Sequence, residues 1–215
     1  LPGLKWPEDE SDQESWVASW TKAFDKAPLP KEFFKRFDNA LDLIKADLEK
    51  FQKLKSADAY SRAQLLLERL LFLYFLQRRG WLDQKRDFLV EHFKSYRTQP
   101  KEFSYYEEFL EKLFWSLASP PTASNRLPGI PFLNGGLFDD DEFDPAPVRR
   151  KNNPPLQIRN ETFGTVFDDF LETFHFTVRE DTPLNQEVAV DPEMLGKVFE
   201  SIVLHAEAAD PEATA

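Results

Sequence analysis

The sequence contains no cysteine and a single methionine among its 215 residues. Without cysteine the chain has no disulfide framework and no thiol chemistry. Disulfides persist mainly in oxidising compartments, so this composition agrees with a reducing environment, and we expect a cytoplasmic protein.

Long hydrophobic runs are also missing. The longest, LLLERLLFLYFL at 65–76, contains Glu68 and Arg69, whereas a membrane span needs about 20 apolar residues. We therefore predict no transmembrane helix. The first residues, LPGLKWPEDE, have neither an initiator methionine nor the basic-then-apolar pattern of a signal peptide, and we expect the chain to be a piece of a longer protein.

Glycine is scarce, and none of the 7 glycines forms a Gly-x-Gly pair. A Rossmann-type cofactor site needs closely spaced glycines after a strand, because only glycine lets the backbone approach the cofactor closely. We therefore predict no cofactor-binding residue in this chain.

The tetrapeptide Asn153-Pro154-Pro155-Leu156 is similar to the Asn-Pro-Pro-aromatic loop that grips a flipped base in adenine-specific DNA methyltransferases. It lacks the aromatic residue, and no convincing buried strand precedes it. We interpret it as a proline-stiffened turn that continues, in extended form, into Leu156-Gln157-Ile158.

No catalytic or metal-binding pattern is recognisable. The acidic run DDDEFD at 139–144 lacks the glycine and the distal glutamate of a calcium loop, which favours a solvated acidic loop. His92, His175 and His205 are far apart and have no cysteine to complete a zinc site. Neither a nucleophile elbow nor a convergent set of carboxylates is evident, so we predict no catalytic and no metal-ligating residue.

The net charge is -11, and most of it lies in the two ends of the chain. A mildly acidic body argues against an autonomous nucleic-acid-binding domain but leaves room for a local basic patch. Two basic clusters are candidates for contact with DNA phosphates. The first is Arg149, Arg150 and Lys151, which could equally compensate the preceding acidic run; the second is Arg78 and Arg79, which could equally cap a helix dipole.

Apolar spacing predicts a mainly α fold: an irregular helical bundle with a long Pro/Gly-rich connection and one small two- or three-stranded β element. Phe34, Phe37, Leu41 and Ile44 form one apolar seam, and residues 58–79 are apolar almost all round, which is typical of a central helix. Further predicted elements are a helix around Trp16, Trp20 and Phe24, helices at about 83–96, 104–118 and 163–174, strands on either side of EDTPLNQ, and a last helix from Asp191.

These elements suggest an order of domains along the chain. We predict an acidic tail at 1–15, a helical bundle at 16–118, an ordered long loop at 119–159, a helix with short strands and a terminal helix packed on the bundle at 160–204, and a tail at 205–215. The loop holds eight of the 16 prolines.

Several stretches together resemble one region of a known group of enzymes. They are KEFFKRF at 31–37, LLLERLLFLYFLQRRGWLD at 65–83, YYEEFLEKLFWSLA at 105–118, IPFLNGGLFDDDEFD at 130–144 and FHFTVREDTPLNQEVAVDPEMLGKVFESIV at 174–203. This combination is similar to the helical region immediately ahead of the catalytic core in large adenine-specific DNA methyltransferases of type IIG restriction-modification and phage-defence systems.

The resemblance implies a non-catalytic helical connector that positions the methyltransferase core relative to a nuclease or to target DNA. The parent protein would bind S-adenosylmethionine, and magnesium if a nuclease is fused to it; this chain would bind neither. Its partners would be the methyltransferase core, a nuclease domain of the same parent, and DNA through phosphates, without a membrane. The alternative is a free-standing protein-protein interaction module that does not contact DNA.

Overall fold

The chain folds mainly into α-helices, as its apolar spacing predicts. The computed structural model describes residues 31–133, 136–138, 155–176, 189, 190, 196 and 200. Within this part the α-helices are α1 (Lys31–Phe51), α2 (Ser56–Arg78), α3 (Phe88–Arg97), α4 (Glu111–Ala118) and α5 (Asn160–Asp169). A π-helical segment at Tyr105–Leu110 runs directly into α4, and short 3-10 turns lie at Gly136–Phe138 and Leu171–Thr173.

Helix α2 is central, because apolar residues surround it. Leu67, Leu70, Leu73 and Leu76 are all fully buried, which confirms the prediction from its uniform hydrophobicity. Helix α1 packs along α2. Helix α3 follows α2 in the chain, after a tight turn. Arg69 is also buried, at 3% exposure, and its Nε donates a hydrogen bond to the carbonyl oxygen of Leu137 at 2.7 Å.

The buried face of α1 differs by one residue from the predicted seam. Phe33 is fully buried, whereas Phe34 is only half-buried. Phe33, Phe37, Ile44 and Leu48 have the helical spacing of a core stripe, so the seam begins one position earlier than predicted.

Aromatic rings form much of the core. Tyr105 lies 4.8 Å from Phe93 and 5.0 Å from Phe163, measured between ring centroids, in edge-to-face arrangements. Phe33 makes similar contacts with Phe170 at 5.3 Å and Phe174 at 5.0 Å. Edge-to-face pairs add to the free energy of burial, because the positive ring edge meets the negative ring face.

The segment that leads into α5 is extended and buried. Leu156 is 6% exposed and Ile158 is fully buried, while Gln157 between them is only half-buried, an alternation typical of an extended chain. Asn153 and Pro154 lie outside the described residues. Arg159 precedes α5 with extended backbone angles of φ -66° and ψ 146°.

Two buried polar side chains hold this segment in place. Asp47, 2% exposed, accepts hydrogen bonds from the backbone and the side chain of Arg159 and, at 2.6 Å, from Thr162. Asn160 accepts a bond from the N–H of Tyr105 at 3.0 Å and donates from Nδ2 to the carbonyl oxygens of Tyr96 and Lys101, both at 3.0 Å. Buried polar groups of this kind stabilise a fold only when they are hydrogen-bonded, as these are.

Residues 119–133 are irregular but packed on the end of α4. The Arg126 guanidinium donates to the carbonyl oxygens of Ser119 and Ile130, and Leu133 N–H donates to the Leu117 carbonyl at 2.8 Å. Phe138 is buried, at 4% exposure, whereas Phe132 is 40% exposed. The Asn134-Gly135 pair is typical of a tight turn, and it lies, with residues 139–154 of the loop, outside the described residues.

A small β element is present. Strand β1 (His175–Phe176) pairs in parallel with β2 (Ala189–Val190), His175 opposite Ala189. A parallel pair requires a crossover connection rather than a hairpin turn. The residues between the strands, the predicted helix around Trp16 and most of the predicted last helix lie outside the described part; Gly196 and Glu200 of that last helix are described and helical.

The domain limits at residues 16, 119, 160 and 205 stay predictions. Among the helices that the structure describes, none has the length and apolarity that crossing a membrane requires.

Candidate nucleic-acid interface

The C-terminal end of α2 is closed by a glycine cap. Gly80 has a positive φ of 73°, its N–H donates to the Gln77 carbonyl at 2.8 Å, and Trp81 N–H donates to the Leu76 carbonyl at 3.0 Å. These two bonds form a Schellman motif, the cap that a glycine behind the basic last turn of a helix predicts. The motif sets the direction in which the chain leaves the helix.

A second tight turn follows immediately. Asp83 and Gln84 have φ values of 51° and 58°, and Lys85 N–H donates to the Leu82 carbonyl at 3.0 Å. Two successive positive φ angles with this bond define a type I′ turn. The apolar spacing predicts that α3 begins at about residue 83, but it begins at Phe88. The turn explains this later start.

The turn is attached to the 119–133 loop through Gly129. Asp83 N–H donates to the Gly129 carbonyl at 3.0 Å, and Gly129 has a φ of 74°. A Cβ at this position would lie 2.4 Å from Asp83 Oδ1 and 3.0 Å from Asp83 Cα. Both the backbone angle and the close approach therefore require glycine.

Buried groups support the turn from below. Leu82 is fully buried, and so is Gln77, whose Oε1 accepts a hydrogen bond from the N–H of Leu89 at 3.0 Å. This bond joins the end of α2 to the first turn of α3. Residues 78–86, which we call the basic turn, are thus held by hydrogen bonds on both sides and by a buried anchor.

The basic turn carries exposed cations and an exposed indole. Trp81 is 53% exposed, and Arg79 and Arg86, which lie before and after it in the sequence, are also exposed. Neither arginine has a carboxylate within 4.0 Å among the residues that the structure describes. Lys85 differs, because its Nζ lies 3.3 Å from Glu91 and 3.9 Å from Asp83, which offset its charge.

Arg78 is more enclosed than Arg79. It is half-buried, and its Nε is buried with no hydrogen-bond partner in the described part of the chain. Its charge acts on Tyr74, whose hydroxyl donates to Glu172 at 2.9 Å. Burial raises the pKa of Tyr74 far above its usual range, Glu172 raises it further, and Arg78 opposes both effects. Arg79, with its guanidinium 5.5 Å from the Phe75 ring centroid, is the more accessible cation.

Two of the five predicted phosphate-contacting residues lie in the described part of the chain. Arg78 and Arg79 lie at the end of α2 within the basic turn. Arg149, Arg150 and Lys151 lie outside the described residues, so their contact with DNA phosphates stays a prediction. Sequence reasoning missed Trp81, Lys85 and Arg86, although the run RRGWLDQKR signals them through four cations around a tryptophan.

His92 has an environment typical of a packed aromatic ring. It stacks on Phe109 with a centroid distance of 4.4 Å and an interplanar angle of 17°, and Phe88 lies 4.5 Å away. Burial lowers the pKa of His92, and the neighbouring charge of Lys85 lowers it further. Within the part of the chain that the structure describes, no group of three or more His, Cys, Asp or Glu residues could hold a metal ion.

An open groove of about 630 Å³ runs between α1 and α5. Its walls include Glu32, Arg36, Asp42, Leu43 and Asp169. Arg36 is already engaged, because its Nε contacts Glu32 at 2.9 Å and its Nη1 donates to the Asp169 carbonyl at 2.5 Å. The groove therefore offers a mixed, internally paired surface without a recognisable set of reacting groups.

No protein-family model matches the chain, and the comparisons with curated proteins and with solved structures found no match.

Proposed function

We propose that this chain is a non-catalytic helical connector of a cytoplasmic DNA restriction-modification or phage-defence methyltransferase. It holds the methyltransferase core in a fixed position relative to a nuclease or to target DNA. The cofactor, S-adenosylmethionine, binds to the core of the parent protein rather than to this chain, and magnesium serves the nuclease where one is fused.

The observation that carries the DNA-facing part of this proposal is the basic turn. Arg79 and Arg86 are exposed and free of carboxylate partners in the described part of the chain, on a segment that two tight turns hold in place. Cations on a rigid segment can contact phosphates and orient a duplex without reading its sequence.

The buried polar contacts support the connector role. Asp47 and Asn160 attach the start of α5 to α1 and to the segment before the π-helix, across more than 50 residues of sequence. A body with such cross-links transmits a fixed distance and orientation between the parts attached to it. The sequence resemblance to the region ahead of a methyltransferase core supports the same role.

Salt-dependent binding of duplex DNA tests the phosphate contacts. We expect weak binding of a fluorescent duplex at low salt, weakened by Arg79→Ala/Arg86→Ala and, separately, by Arg149→Ala/Arg150→Ala/Lys151→Ala. Each lost phosphate contact should reduce the slope of log affinity against log salt by about 0.9. Lys35→Ala/Lys112→Ala, two exposed lysines on α1 and α4, is the charge-matched control. Absence of salt-dependent binding by the wild type would contradict DNA contact.

The connector role has a separate test. The coding sequence beyond Ala215 should contain a cofactor domain with a true Asn-Pro-Pro-aromatic loop. Calorimetry should show S-adenosylmethionine binding to the complete gene product and no heat with this chain alone. Tight binding to this chain would contradict the non-catalytic assignment, and a complete gene product without a cofactor domain would contradict the connector role.

A protein-protein interaction module without DNA contact is the second candidate. The mildly acidic body of the chain favours it, because negative charge repels phosphates outside a local basic patch. Under this alternative the chain binds a protein partner with an affinity that Arg79→Ala/Arg86→Ala does not change, and it binds no duplex at low salt.

A further inference from the structure

Trp81 is an exposed aromatic ring on a rigid backbone. At 53% exposure it is the most exposed large hydrophobic side chain in the described part, ahead of Phe132 at 40% and Leu43 at 38%. Its backbone N–H donates a hydrogen bond to the Leu76 carbonyl oxygen, and the next residue, Leu82, is fully buried. The Trp81 ring makes no aromatic contact within the described residues. The backbone of Trp81 is therefore fixed by the fold, while about half of the residue remains accessible.

The surroundings of Trp81 are ionic rather than apolar. Arg79, Asp83, Gln84 and Arg86, its neighbours in the sequence, are all exposed, whereas the adjacent Leu82 is fully buried. A tryptophan that anchors a protein partner usually lies at the centre of a patch from which surrounding residues exclude water. A single aromatic face among cations instead suits a nucleobase that stacks on the ring while its phosphates meet the cations.

The paired state of the nucleic acid decides whether such stacking is possible. In a duplex both faces of each internal base are covered by neighbouring base pairs, so an indole reaches a base face only where the strand is single or a base is displaced. We propose, on the basis of the DNA-facing function above, that the basic turn binds single-stranded or locally unpaired DNA. Trp81 stacks on one base, and Arg79 and Arg86 contact the flanking phosphates.

The nearby carboxylates limit the strength of this site. Asp83, Asp87 and Glu91 are exposed close to the turn, and Lys85 is occupied by Asp83 and Glu91. Two arginines therefore carry the phosphate contacts. For a single strand, two contacts correspond to a slope of about -1.4 for log affinity against log salt.

The test is fluorescence anisotropy with a labelled oligothymidylate of about 12 nucleotides, compared with a blunt-ended duplex of equal length. We expect the wild type to bind the single strand more tightly than the duplex. Trp81→Ala should weaken single-strand binding about 5- to 100-fold, and Trp81→Phe should retain part of it. Arg79→Ala/Arg86→Ala should reduce the salt slope by about 1.4.

Matched variants keep the outcome interpretable. Phe132→Ala and Lys35→Ala/Lys112→Ala remove an exposed ring and two exposed lysines elsewhere and should leave single-strand binding unchanged. Because Trp81 is exposed, Trp81→Ala should retain the wild-type thermal unfolding midpoint. Equal single-strand affinity of Trp81→Ala and wild type would overturn the proposal, as would tighter binding to oligouridylate than to oligothymidylate.

The two proposals can fail independently. If Trp81→Ala leaves single-strand binding unchanged while Arg79→Ala/Arg86→Ala weakens duplex binding, base stacking is wrong and DNA contact by the connector stands. If the wild type binds neither nucleic acid, base stacking and DNA contact both fail, and the connector role is decided by the complete gene product.

Discussion

Asp47 and Arg159 are joined by two hydrogen bonds across 112 residues of sequence. The Asp47 carboxylate accepts the backbone N–H of Arg159 at 3.0 Å through Oδ2 and its side-chain Nε at 2.9 Å through Oδ1. Asp47 is 2% exposed. The Arg159 guanidinium also lies 5.5 Å from the Phe51 ring centroid. A residue near the end of α1 thus determines where α5 begins.

Removing this carboxylate should destabilise the fold. Asp47→Ala leaves the Arg159 N–H and the Thr162 hydroxyl without their acceptor, and we expect a loss of about 3 kcal/mol in the free energy of unfolding. Urea denaturation followed by circular dichroism measures the change. Glu49→Ala, which removes only a 3.5 Å surface pair with Lys45, is the control and should change stability by less than about 0.5 kcal/mol. A similar loss in both variants would contradict the role given to Asp47.

Asn160 should not tolerate a charge. Its Nδ2 donates to the carbonyl oxygens of Tyr96 and Lys101 and to Ser104 Oγ at 3.1 Å. Asn160→Asp replaces the donating Nδ2 with a carboxylate oxygen, which is repelled by the carbonyl oxygens of Tyr96 and Lys101. Asn160→Ala only removes the hydrogen bonds. We expect Asn160→Ala to cost about 3 kcal/mol and Asn160→Asp at least as much at pH 7. Lowering the pH should restore part of the stability of Asn160→Asp alone, because the protonated carboxyl donates one hydrogen bond.

Gly80 and Gly129 form a matched pair for a test of local space. Both have positive φ angles, 73° and 74°, but a Cβ at Gly80 meets nothing within 4 Å, while one at Gly129 lies 2.4 Å from Asp83 Oδ1. Gly80→Ala should therefore cost about 1 kcal/mol through its backbone angle alone. Gly129→Ala should cost at least about 2 kcal/mol. Thermal denaturation of both variants measures the difference, and equal costs would contradict the close approach of Gly129 to Asp83.

His92 should contribute a pH-dependent term to stability. Burial lowers its pKa and Lys85 lowers it further, while Glu91 and Asp83 act in the opposite direction. The unfolded chain, with an ordinary histidine pKa of about 6.5, therefore binds the proton more readily than the folded chain. The stability that the neutral His92 ring contributes to the unfolding free energy is fully present above about pH 6.5. It is lost as the pH falls below that value, because the unfolded chain then takes up the proton more readily.

His92→Phe keeps a ring against Phe109 and removes the titration. From pH 7.5 to pH 5.5 the wild type should lose more of its unfolding free energy than His92→Phe. Urea denaturation at several pH values measures both, and the carboxylates shared by the two proteins cancel in the comparison. If the unfolding free energies of the wild type and His92→Phe change in parallel with pH, the burial of the His92 ring does not lower its pKa.

Much of the helical architecture could be predicted because its signals are local. The uniform hydrophobicity of α2 places it at the centre, and the glycine at position 80 ends it, since both depend on neighbouring residues. The seam of α1 was shifted by one position, because Phe33 and Phe34 are equally apolar and only the neighbouring Phe170 and Phe174 select Phe33 for the core.

The candidate interface was predicted only in part. The place of Arg78 and Arg79 at the end of a helix is predictable from the sequence, but the half-burial of Arg78 and the exposure of Arg79 depend on tertiary packing. The sequence does not show that Trp81 is exposed, because tryptophan is highly buried on average. The type I′ turn at Asp83 and Gln84 has no Asn or Gly to announce it, so the late start of α3 was not predictable from turn chemistry.

The sequence alone sets the helices, the glycine cap and the aromatic character of the core, because periodicity and backbone preference act over a few residues. The packing of distant segments sets which polar side chains are buried and which aromatic ring stays exposed. Asp47 is an acceptor for α5 only because the chain returns to α1 after more than 100 residues. Trp81 faces outward because Leu82, and not Trp81, is buried beneath a turn anchored by Gly129.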